Sequence, residues 1–184
     1  MSEITIYRHT LNLGNRDWTL WASEKGLVRI SFGLEERLPE GKWLNTYAPR
    51  HRYQEDQTVF MQLGITREME SYFGGAAVSF KDIPLDIWGT PFQQEVWKGL
   101  ATIAHGEVIT YRELAGRIGR PQAMRAVGTA NGQNPLPVIL PCHRVIGTNG
   151  TLTGYRGGLK LKQELLALEG INHVGAAGHE RFAF

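Results

Sequence analysis

An apolar run broken by prolines, NPLPVILP at 134–141, constrains the fold of this chain more than any other stretch. Proline fixes φ and removes a backbone donor, so Pro135, Pro137 and Pro141 exclude a helix interior or a central strand. Leu136, Val138, Ile139 and Leu140 are nevertheless too apolar for a solvated loop. The run therefore predicts a buried, stiff, irregular segment. Its unpaired backbone groups need partners, and Asn134 is suited to supply them. Directly after it come Cys142, the only cysteine in 184 residues, then His143 and Arg144. The continuation CHRVIGTNGTLTGYRGG is rich in glycine, which lets backbone groups approach a planar ligand closely.

A segment of this kind is a device for positioning the cysteine. A thiol reacts as its thiolate, and an ordinary pKa of about 8.5 leaves little thiolate at neutral pH. A nearby base and positive surroundings raise that fraction. His143 is adjacent, and a carboxylate held against its far nitrogen would orient it. Spacing alone does not choose the acid, although Glu169 ends the last clear helix and could pack back on the site. Two plainer readings stand beside this one: a buried structural cysteine, and a Cys-His neighbour pair that does no chemistry. A single cysteine excludes an internal disulfide and a multi-cysteine zinc site, and it suggests a reducing compartment. The start MSEITIYRHT lacks a secretory pattern, and no apolar stretch approaches the roughly 18 residues of a membrane span. A cytoplasmic location is the expectation.

Upstream, ITIYRHTLNL, DWTLWAS and GLVRISFG are strand-like runs separated by GN and EKG turns, predicting an antiparallel sheet over 4–33. Residues 34–55 are polar with Pro39 and Pro49 and read as a long surface connection. DQTVFMQLGITREMESYF suits one helix capped by Asp56 and stopped at Gly74–Gly75. A boundary follows near Gly89. Thr90 then caps a helix with Pro91 at its first position, whose face carries Phe92, Val96, Leu100 and Ile103 and which ends near 105–106. Thr110 with Glu113 forms a capping box opening TYRELAGRIG. Gly119, Arg120 and Pro121 break the chain before a second helix, 121–131, giving a helix-turn-helix pattern that unrelated helical hairpins also share. LKLKQELLALEG is the last helix, with Leu161, Leu165 and Leu168 on one side. The expected division is 1–89, 90–170 and a tail 171–184.

The formal net charge is only +2, but it is unevenly spread. Residues 1–91 carry 10 Lys/Arg against 12 Asp/Glu, whereas residues 92–170 carry 9 against 5. That excess is either a solvated basic face or a surface for a polyanion. His9, His51, His105, His173 and His179 are read as surface or core residues.

Pro141-Cys142-His143-Arg144-Val145 resembles the active-site signature of the O6-alkylguanine-DNA alkyltransferases. Four further stretches, in the same order as in that family, extend the resemblance over about 80 residues: TPFQQEVW at 90–97, GEVITYRELA at 106–115, RAVGTANGQNP at 125–135 and TGYRGGLKLKQELLALEG at 153–170. The N-terminal part is similar only in length and in its order of strands then helix. The implied fold is α/β + α: a small ribonuclease-H-like N-terminal α/β domain, then a mostly helical domain with the helix-turn-helix and the Pro-Cys-His-Arg segment.

The resemblance implies direct reversal of alkylation damage. Cys142 would accept the alkyl group from guanine O6, with thymine O4 as a further substrate, in one irreversible displacement. His143 would deprotonate it through a water, and Glu169 would hold that histidine. Asn134 would be the hinge that ties the helix-turn-helix to the active-site segment. Tyr111 would donate toward guanine N3. The carbonyls of Cys142 and Val145 would accept from the exocyclic amine, and Tyr155 would close over the alkyl group. Arg125 would fill the gap left by the base. The second helix, with Ala126 and Gly128 among its small residues, would lie in the minor groove of double-stranded DNA. The implied protein is a monomer without metal or cofactor, with cooperative assembly along DNA left open. Two features depart from relatives. Arg156 stands where some have a serine that donates to the base, and the zinc-binding cysteines of others are absent. Two readings stand beside an alkyltransferase: a non-catalytic lesion sensor of the same fold and a cysteine hydrolase. Cys142 opposes the first alternative, and nothing independent supports the second.

Overall fold

The computed structural model describes residues 3–32 and 40–175. It contains two compact units, Met1–Trp88 and Gly89–Phe184. Most of the expected tail, and the first part of the expected connection after 33, lie outside the described residues.

In the N-terminal unit, β1 (Ile4–Leu13), β2 (Arg16–Ser23) and β3 (Gly26–Phe32) form the antiparallel sheet expected from their β-branched and aromatic runs and the turns between them. Gly14 and Asn15 both have φ of 58°, the left-handed pair that a two-residue hairpin needs. Both faces of the sheet are covered, so β2 and β3 are buried along most of their length. Ile6, Trp21 and Val28 pack with Leu44 on one face. On the other, the Trp18 ring meets Phe32 and Phe73, each at 5.1 Å between centroids.

The polar stretch read as a surface connection contains two elements. A short helix, α1 (Glu40–Tyr47), contributes Leu44 to the core, and β4 (His51–Glu55) pairs in parallel with β1, giving the order β3-β2-β1-β4. β4 shows no apolar alternation because it is an edge strand that is almost entirely exposed. Besides the backbone ladder, Arg52 Nε donates to Thr5 Oγ1 at 3.0 Å and the Tyr53 ring meets Trp21 at 5.5 Å between centroids. The single helix expected over 56–73 is two: α2 (Gln57–Gln62), capped by Asp56 as expected, and α3 (Ile65–Phe73). Gly64, at φ 77°, makes the break, since a left-handed residue cannot continue a helix.

In the C-terminal unit, α4 (Pro91–Leu100) opens with a full capping box between Thr90 and Gln93. It stops at Leu100, earlier than its apolar stripe suggests, because Ile103 is buried from a turn rather than from the helix. β5 (Ile109–Thr110) leads into α5 (Tyr111–Arg117), where Thr110 and Glu113 form the predicted box. The second helix of the pair, α6 (Met124–Gly132), starts three residues late, after a turn at 121–122. The Trp97 indole donates to the Ala130 carbonyl at 2.8 Å and joins α4 to α6. β6 (Val145–Ile146) lies parallel to β5, and α7 (Gly158–Leu168) closes the unit. Among the described residues, no helix is long and apolar enough to cross a membrane.

Candidate active site

The proline-broken run is irregular and buried, as its composition requires. Asn134 holds it: Nδ2 donates to the Leu140 carbonyl at 2.6 Å, and Oδ1 accepts from the Leu136 N–H at 2.9 Å. These bonds close a loop that leaves Val138 at φ 74°, a strained conformation for a β-branched residue. The burial of Leu136, Val138 and Leu140 holds it there. Beyond Pro141 the chain makes one 3-10 turn, Cys142–Arg144, that leads directly into β6. Cys142 therefore sits where an immobilised loop meets a strand.

Cys142 is 5% exposed. Burial pushes its thiol up, while the Asn134 side chain and the charges of Arg156 and Lys162 pull it back down. His143 is fully buried, and its Nε2 lies 2.7 Å from Glu169 Oε1. Burial lowers its pKa, although the carboxylate opposes that, so the ring is neutral at physiological pH. A neutral imidazole that donates from Nε2 carries its lone pair on Nδ1, and that nitrogen is then the basic one.

Glu169, the C-cap of α7, is more than the partner of the histidine. Arg144 reaches it with two donors, Nε to Oε2 at 2.8 Å and Nη2 to Oε1 at 3.0 Å, and the Gly106 N–H adds a third at 3.2 Å. The remaining Arg144 fork donates to the Ile103 carbonyl at 2.6 Å. Glu169 thus joins the cysteine turn, the turn at Gly106 and the end of α7 in one buried cluster. This role of Arg144 was not part of the expected site, because adjacency to His143 gives no sign of which way its side chain turns.

Tyr111 begins α5 and lies near enough to Cys142 for their charges to interact; burial, first among the causes, raises its pKa to about 12. Gly128 is buried with the Tyr111 ring alongside, whereas Arg125 and Ala126 are on the exposed side of α6. Tyr155 is buried and Arg156 partly exposed, in the loop before α7. Val145 is buried, and its carbonyl accepts from Lys162 Nζ at 2.6 Å. Lys162 was not expected in the site. The available signal was its position on α7: Lys162, Leu165, Leu166 and Glu169 recur at three- and four-residue spacing on one buried face.

Two family models match the chain in succession. Residues 13–87 match the ribonuclease-like domain of 6-O-methylguanine DNA methyltransferase, and residues 91–171 its DNA-binding domain. A methylated-DNA–protein-cysteine methyltransferase of Methanosarcina barkeri is 54% identical over 152 residues, 82% of this chain and 88% of that protein. Its counterpart in Mycobacterium tuberculosis is 50% identical over 125 residues, 67% and 74% of the two chains. The crystal structure of M. tuberculosis O6-methylguanine methyltransferase superposes with a TM-score of 0.72 at 38% identity, covering 89% of this chain and 92% of that one. The structure of M. tuberculosis OGT in complex with DNA gives 0.70 at 38% identity, with 90% and 93% covered. The chain belongs to the methylated-DNA–protein-cysteine methyltransferases, which reverse alkyl damage in DNA by transfer to a cysteine.

Proposed function

We propose that Cys142 is the alkyl acceptor and that the C-terminal unit presents it to an O6-alkylguanine swung out of duplex DNA. The observation that carries this reading is the buried pair beside the chain's one thiol, with His143 Nε2 held 2.7 Å from Glu169. His143 takes the thiol proton through a water, and Glu169 stabilises the imidazolium that forms. Sγ then attacks the alkyl carbon. The S–C bond forms as the C–O6 bond breaks, and the electron pair leaves on the guanine. Tyr111 keeps its proton at neutral pH, because its pKa is raised to about 12, and it donates toward N3 of the departing base. A thioether has no easy leaving route, so each molecule acts once.

A guanine inside the stack cannot meet a buried thiol, which is why the base must leave the helix. α6 supports minor-groove binding: its outer side offers Arg125 to fill the gap and the small Ala126 beside it. The Cys142 and Val145 carbonyls read the exocyclic amine, while Tyr155 and Arg156 bound the space over the alkyl group. Each of those carbonyls already accepts one hydrogen bond, from the Val145 N–H and from Lys162, so one lone pair of each is left for the base. O4-alkylthymine is a second substrate on the same logic. The protein acts as a monomer, and cooperative assembly along DNA is open to measurement. The reducing cytoplasm suits a lone thiol that must stay free.

Intact-protein mass after mixing with a duplex holding one O6-methylguanine tests the reading. We expect one methyl group per chain, a plateau at that value, and no gain in Cys142→Ala. No gain together with preferential binding of the damaged duplex would overturn it in favour of a lesion sensor.

A further inference from the structure

Asn131 sits on α6 at 2% exposure, and its side-chain oxygen Oδ1 is buried without a hydrogen-bond partner in the protein. An amide oxygen in that state has given up water and received nothing in its place. Leucine would fill nearly the same volume with no such penalty, so packing alone does not account for an asparagine here. The same face of α6 carries Gly128 one turn earlier, where an added Cβ would stand 3.8 Å from Tyr111 Cδ1 and Cε1. The Tyr111 ring therefore lies against this face. Asn131 interacts with its hydroxyl, as does Thr153 from the loop before α7.

The phenol oxygen has one proton to give and two lone pairs with which to accept. Because Asn131 Oδ1 bonds nothing, the carboxamide meets the phenol through Nδ2, which can only donate. Thr153 Oγ1 is likewise a buried atom without a partner at full hydrogen-bond geometry. Its proton is available for the second lone pair as the site tightens on the base. Both side chains oppose the effect of burial on Tyr111, the direction expected of groups that donate to its oxygen.

We propose that Asn131 is a positioning residue for alkyl transfer that acts through Tyr111, donating to the phenol oxygen so that the phenol proton is left for N3 of the departing guanine. This deepens the reading of Tyr111 as the N3 donor and rests on it. A phenol free to rotate its O–H would present N3 with a lone pair as readily as with a proton. Donors seated on the oxygen leave only the orientation with the proton outward. They also polarise the O–H bond, so its hydrogen bond to N3 strengthens as the electron pair arrives on the guanine.

The test is single-turnover methyl transfer, resolved into a saturating rate and a half-saturating concentration. It compares the parent, Asn131→Ala, Tyr111→Phe and the double variant. Each is measured on a duplex with O6-methylguanine and on one with its 3-deaza analogue, in which a C–H replaces N3. On O6-methylguanine we expect Asn131→Ala to lower the saturating rate about tenfold, the worth of one hydrogen bond, at an unchanged half-saturating concentration. The double variant should be no slower than Tyr111→Phe alone, since the effect runs through the phenol. On the 3-deaza duplex the parent and Asn131→Ala should react at the same rate. Should Asn131→Ala fail to melt cooperatively, Asn131→Leu decides, because it keeps the volume and removes only the polar group. An undiminished rate in the Asn131 variants would overturn the proposal. So would a loss that persists in the Tyr111→Phe background or on the 3-deaza duplex. A Tyr111→Phe chain as fast as the parent on O6-methylguanine would instead overturn the reading of Tyr111 as the N3 donor, whatever the Asn131 variants do.

Discussion

The two units bury different kinds of chemistry. Around its sheet the N-terminal unit hides Trp18, Leu20, Trp21 and Ile30, and its buried polar groups are mostly the small hydroxyls of Thr5, Thr19, Ser23 and Ser31. The exception is Arg29, whose guanidinium lies 5.0 Å over the Trp43 ring. The C-terminal unit hides His143, Arg144, Lys162 and Glu169, along with Asn131, Asn134 and the thiol. Apolar burial contributes about 25 cal/mol per Å2 without further conditions. A buried charge stabilises nothing unless its partners are in place, and replacement by well-packed apolar residues is often neutral or better. One unit is therefore built for cohesion, and the other spends part of its cohesion on a nucleophile.

Glu169→Ala gives the largest contrast. It strands Arg144 and His143 together, and removing one partner of a buried ion pair costs about 3–5 kcal/mol. Chemical denaturation should show that loss, and methyl transfer should collapse in the molecules that stay folded. Trp18→Ala in the N-terminal unit should cost a similar 3–5 kcal/mol through its cavity alone. Its transfer rate per folded molecule should match the parent. A Trp18→Ala chain as slow as Glu169→Ala would erase the distinction between the units.

Asn134→Ala is next. It leaves the Leu136 N–H unmet within a strained loop, at about 1–3 kcal/mol for that buried group, and takes one of two donors from the Leu140 carbonyl, which still accepts from the Cys142 N–H. Transfer should slow as well, because Cys142 follows directly on that loop.

A smaller effect sharpens the comparison through pH. The His143 pKa is lowered in the folded chain, so below the ordinary value of about 6.5 the unfolded chain binds a proton that the native one refuses. Stability from this group is complete above that value and is lost as pH falls below it, at up to about 1.4 kcal/mol per pH unit. Replacing His143 with leucine should flatten the acid limb of a stability-versus-pH curve by that one proton. The smallest effect is Thr110→Ala, which loses the cap of α5 beside Tyr111 and should cost about 1 kcal/mol.

What could be read from residues alone follows the same division. Strands rich in β-branched and aromatic residues between clear turns, and helices opened by Thr90 and Thr110, announce themselves because their signals are local. β4 escaped because an edge strand needs no apolar pattern, and α1 because one buried leucine makes no period. The break at Gly64 was hidden by an apolar stripe that continues across it. In the site, the Pro-rich run and Cys142 were legible as a positioned thiol, but the acid was not fixed by spacing. Glu169 lies 26 residues from His143, and only the fold of α7 brings them together. Lys162 and Arg144 stayed hidden because charged side chains default to the surface, and their burial depends on contacts from distant segments.

The sharpest measurement is the saturating methyl-transfer rate of His143→Leu, taken on protein whose cooperative melting has been verified. Arg144 continues to hold Glu169 in this variant, so the fold should persist with little change in Tm. The rate should fall by roughly 100-fold or more, the usual contribution of a positioned base. A stable His143→Leu chain that transfers methyl groups as fast as the parent would contradict the assignment of the buried histidine and its carboxylate to the chemistry of Cys142.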